Sequence, residues 1–88
     1  MARGQHYETN GGIFGTPMRR KIFRIIKEHV RMTYSELVRE LGIKGGGVQY
    51  HLAELERCGV LIKEKKGFGG KRPYRISGDY LNFNPQET

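Results

Sequence analysis

Tryptophan is absent from these 88 residues, cysteine occurs once, at Cys58, and proline 3 times. A lone cysteine excludes an intramolecular disulfide and cannot by itself supply a cysteine-based zinc cluster. Stability must therefore come from packing. Long apolar runs are also missing: Val60-Leu61-Ile62 is among the longest, far too short to cross a bilayer, and the N-terminus has no apolar signal-peptide core. The expected location is the cytoplasm, on the nucleoid if the partner is DNA. Acidic residues are scarce, 9 against 16 basic ones, for a formal charge of +7. The excess is localised. Residues 18–31 hold Arg19, Arg20, Lys21, Arg24, Lys27 and Arg31 against Glu28, and residues 60–77 hold Lys63, Lys65, Lys66, Lys71, Arg72 and Arg75 against Glu64. Two basic segments in one small domain point to an anionic partner.

Catalytic and metal-binding patterns are missing too. No paired carboxylates and no nucleophile with a base stand out. "GFGGKR" at 67–72 only superficially resembles a phosphate loop: Lys65 stands where the first glycine belongs, and Arg72 where Ser or Thr would hold magnesium. His6, His29, His51 and Cys58 lack metal-ligand spacing. We expect no enzyme, no cofactor and no metal, and we expect His51, at the edge of an apolar face, to be a hydrogen-bonded structural histidine.

What is present is an ordered series of local signals. Residues 1–15 are polar and glycine-containing, without periodicity until Ile13-Phe14, and read as a flexible arm. Thr16-Pro17 offers an N-cap and a proline at the first helical position. Met18, Ile22, Ile25, Ile26 and His29 then recur at helical spacing, opposite a basic stripe of Arg20, Arg24, Lys27 and Arg31. Thr33 and Glu36 fit a capping box, with Met32 and Leu37 at staple positions. Leu37, Val38 and Leu41 give a short second helix its buried side, ended by Gly42; Val48, Leu52 and Leu55 predict a third, stopping at Gly59. From Val60 the pattern changes to a two-stranded hairpin: "VLI", a basic glycine-rich tip, then "PYRIS" with period two. Residues 78–88 form a C-terminal tail. Ile13, Phe14, Tyr80, Leu81 and Phe83 either complete the core or make a homodimer contact.

The segments "PMRRKIFRIIKEH", "TYSELVRELGI", "VQYHLAELERCGVLI" and "GGKRPYRIS", in that order, resemble the helices and wing of the ArsR-like winged helix-turn-helix regulators of archaea and bacteria. The resemblance implies an α+β, mostly α, fold over residues 16–77: three helices followed by a β-hairpin wing. It also implies binding of double-stranded DNA in transcriptional control, commonly as a dimer, with the third helix as recognition helix. Relatives favour small residues at the position of Cys58, which implies small-core packing there.

The departure from that family is Gly45-Gly46-Gly47, where relatives usually carry polar side chains. Three fully helical glycines would cost roughly 3 kcal/mol relative to alanine. Three readings stay open: close approach of bare N–H groups to a phosphate, a turn that orders on DNA, or a positive-φ loop with no contact role. All three shift readout toward Gln49 and Tyr50, with Ala53 and Arg57 further along the same face. Affinity is expected from Lys44 and from wing residues Lys65, Lys66, Lys71 and Arg72. A low-specificity architectural DNA-binding protein and a winged-helix protein-interaction module are the alternatives.

Overall fold

The computed structural model describes residues 12–43, 46–65 and 71–85. Lys44, Gly45, Lys66 and Phe68, and most of the N-terminal arm, lie outside the described residues. Helix α1 (Pro17–His29) begins where Thr16, in extended conformation, accepts from the Arg19 N–H at 3.3 Å. Its buried stripe is Ile22, Phe23 and Ile26. The inward face is thus rotated toward Phe23, leaving His29 exposed. The helix ends at Val30, whose φ of 71° and ψ of −52° are unusual for a β-branched residue.

A two-residue strand, β1 (Arg31–Met32), leads into α2 (Tyr34–Leu41). The capping box is complete: Glu36 N–H donates to Thr33 Oγ1 at 3.2 Å and Thr33 N–H donates to Glu36 Oε1 at 2.9 Å. Met32 and Leu37 both enter the core. Gly42, at φ 76°, closes α2 by donating to the Val38 carbonyl. Helix α3 (Gly46–Arg57) ends in a paired cap: Val60 N–H donates to Leu55 O at 2.9 Å and Gly59 N–H to Glu56 O at 3.0 Å, with Gly59 at φ 82°. Both flanking side chains, Leu55 and Val60, are buried, so the cap also anchors the chain as it turns into the sheet.

Strands β2 (Leu61–Lys63) and β3 (Tyr74–Ile76) form the expected hairpin, extended by bonds from Glu64 N–H to Pro73 O and from Ser77 N–H to Val60 O. β1 adds a third strand on the other side of β3, giving the antiparallel order β1-β3-β2. Two residues are too few to reveal alternation in a sequence. Arg31 lies opposite Arg75 in this pairing, a repulsive juxtaposition. Glu64 offsets it by pairing with both, at 3.3 Å to Arg31 Nε and 3.0 Å to Arg75 Nε.

The core continues past the helices and sheet. Phe14 is 0% exposed and meets Phe23 edge-on, with ring centroids 5.1 Å apart. Tyr80, on a 3-10 turn (Gly78–Tyr80), and Phe83 pack around Phe14. Of the five apolar residues weighed for a dimer contact, four pack within this chain, and Leu81 stays 51% exposed. Cys58 corrects the sequence reading: it is exposed rather than packed in the core, because it follows the last turn of α3 on the solvent side of the cap.

Candidate nucleic-acid interface

The described part of the α3 face on which the glycine run lies carries no long side chain until Gln49. Gly47, Gln49, Tyr50, Ala53 and Arg57 are all exposed, Tyr50 at 58%. At Gly47 an added Cβ would meet nothing within 4 Å, so the protein leaves that space open. Arg57 is less available than its exposure implies: its Nη2 donates to Glu54 Oε1 at 2.6 Å. The same bond raises the Arg57 pKa and lowers that of Glu54. The cationic contribution of α3 is thereby largely cancelled.

Arg19, indistinguishable in sequence from its basic neighbours, supports this face from α1. Its Nε donates to His51 Nδ1 at 2.9 Å, its Nη1 reaches the Ile13 carbonyl at 3.4 Å, and its guanidinium lies 5.6 Å from the centre of the Tyr50 ring. His51 is thus hydrogen-bonded, and burial, with the nearby Arg19 charge, lowers its pKa.

A groove of about 290 Å³ separates α3 from the wing. Gln49 lines one side, Lys63, Lys71 and Arg72 another, and Tyr34 and Ser35 at the start of α2 close it. Lys63 Nζ lies 5.4 Å from the centre of the Tyr74 ring, and Arg72 Nε donates to the Glu64 carbonyl at 3.2 Å. Glu36 sits close by, its pKa lowered first by the Thr33 backbone N–H and in smaller part by Lys71. Lys65 is exposed where the tip begins.

The other basic segment divides by role. Arg20 Nη1 donates to the Phe14 carbonyl at 2.8 Å, and Lys27 Nζ to Phe83 O at 2.9 Å and Asn84 Oδ1 at 3.1 Å. These two tie the terminal segments to α1. Arg31 and Arg75 are held by Glu64, Arg19 is bonded to His51, and the described cations lining the groove beside α3 are Lys63, Lys71 and Arg72. Among the described residues no cluster of His, Cys, Asp or Glu could hold a metal, and no helix is long and apolar enough to cross a membrane.

A family model described as winged helix-turn-helix DNA-binding matches residues 16–62, from the N-cap of α1 to the middle of β2. The chain belongs to this family. No match was found among curated proteins or solved structures. In winged-helix terms α2 and α3 take the place of the helix-turn-helix, and the β2–β3 hairpin that of the wing. The matched segment covers α3 and stops before Lys71 and Arg72, so the hairpin's second flank rests on the geometry described above.

Proposed function

We propose that this winged helix binds double-stranded DNA with sequence preference, as a transcription regulator of the ArsR-like kind. The first turn of α3 enters the major groove, and the wing lies on the adjacent backbone or minor groove. The observation that carries the reading is the groove between Gln49 on the recognition helix and Lys63, Lys71 and Arg72 at the wing. A phosphate strand running there meets cations on one side while Gln49 and Tyr50 face base edges on the other. Gly46 and Gly47 let the backbone of α3 come close to the duplex, where unpaired N–H groups at a helix start favour phosphate. Lys44, Gly45 and Lys66, outside the described residues, are included from the sequence alone, and Arg57 contributes only at the edge.

The glycines also support a second reading, an architectural protein that grips the backbone with little readout. Selection from a pool of random duplexes separates the two. Enrichment of a motif is expected; tight retention without enrichment supports the architectural reading, and a palindromic motif would add a homodimer.

A further inference from the structure

Beside the recognition surface lies a notch of about 280 Å³ lined by Met18, Ile43, Gly47, Val48 and His51. It is apolar except for the imidazole. Ile43, at its edge, is 44% exposed. The open Cβ direction at Gly47 leaves the first turn of α3 unobstructed. The histidine that interrupts the apolar lining has a fixed proton: because Nδ1 accepts from Arg19, neutral His51 carries its hydrogen on Nε2. The notch therefore combines apolar side chains with one side-chain N–H donor, that of His51.

Of the four bases, only thymine presents an apolar group, its C5-methyl, next to a hydrogen-bond acceptor, O4, on the major-groove edge. Guanine offers acceptors without a methyl, cytosine offers a donor, and adenine offers an acceptor beside a donor. We propose that the notch is a thymine-reading subsite, with the methyl against Ile43, Met18 and Val48 and His51 donating to O4. Arg19 is the positioning residue that sets the tautomer. This inference rests on the DNA-binding reading of α3 and deepens it by naming the base read.

The test begins with duplexes enriched by the full chain from a random pool. Each thymine of the enriched sequence is then replaced in turn by deoxyuridine, which removes the methyl and keeps O4. One replacement is expected to weaken wild-type binding roughly fourfold, the value of burying one methyl-sized group. That difference should vanish in Ile43→Ser and shrink in the milder Ile43→Ala, both at a partly exposed position; circular dichroism confirms that at least one variant is folded. A thymine-to-deoxyuridine difference that persists in the folded variant overturns the notch as its cause. Deoxyuridine replacements that are all neutral, or a retained pool with no enriched thymine, overturn the inference and leave DNA binding intact. Failure to retain any duplex at low salt overturns both.

Discussion

Arg19 Nε donates to His51 Nδ1 across 2.9 Å, joining the start of α1 to α3. The bond needs an unprotonated Nδ1, and protonation would set two cations side by side. Burial first, and the Arg19 charge second, hold the His51 pKa below its ordinary 6.5. Among the described residues, Tyr50, the other ring beside it, and Arg19 face it. The unfolded chain therefore takes up this proton before the folded one does. The contribution is fully present above about pH 6.5 and is lost as the pH falls through the lower folded value. Thermal melting between about pH 8 and about pH 5 should show Tm declining below that point, with a shallower decline in His51→Gln. Equal slopes would mean the bond does not couple to stability.

Gly47 lies within α3 with no neighbour in the way of a Cβ. Gly47→Ala should stabilise the fold by about 0.5–1 kcal/mol, measured by urea denaturation, because alanine loses less backbone freedom. Gly46→Val should instead keep the fold and weaken DNA binding by roughly tenfold or more, since close approach is blocked. Unchanged affinity would remove close approach as the reason for the glycines.

Val30 holds φ 71° with its side chain 67% exposed, so little packing compensates for the strained backbone. Such strain costs of order 1–3 kcal/mol, against about 0.5–1 kcal/mol for the extra chain freedom of glycine. Val30→Gly should give a net rise in Tm; a fall would show that the valine side chain stabilises this turn.

Phe14 lies just before the helix-turn-helix yet is completely buried against Phe23, Tyr80 and Phe83. Phe14→Ala should cost about 3–5 kcal/mol in chemical denaturation. A cost below about 1 kcal/mol would mean that the aromatic cluster is dispensable.

The three helices were legible because their ends are written in short-range chemistry: Thr16-Pro17, the Thr33/Glu36 box, Gly42 and Gly59 each act within a few residues. The hairpin was legible from its change of period. What escaped the sequence depends on distant partners. β1 exists because Arg31 and Met32 find β3, about forty residues away, and Glu64 reconciles the facing arginines. The inward turn of Phe23 depends on Phe14 and Phe83. Arg19 reads as one more cation in a basic helix until its bond to His51, 32 residues on, sets it apart. For the candidate site, Gln49, Tyr50, Lys71 and Arg72 were named from sequence, and all four are exposed. The groove lining from Lys63, Tyr34 and Ser35 was not, because it forms only when the wing folds beside α2.

The central claim is that cations at the wing and bare backbone at α3 grip DNA together. Its most direct measurement is a salt titration of duplex binding by the wild-type chain and by a variant carrying both Lys71→Ala and Arg72→Ala. Wild-type affinity should fall steeply as salt rises. The variant should bind more weakly to every duplex, with a slope flatter by up to about two phosphate equivalents. No binding to any duplex at low salt, or a slope unchanged by the double substitution, would contradict the account.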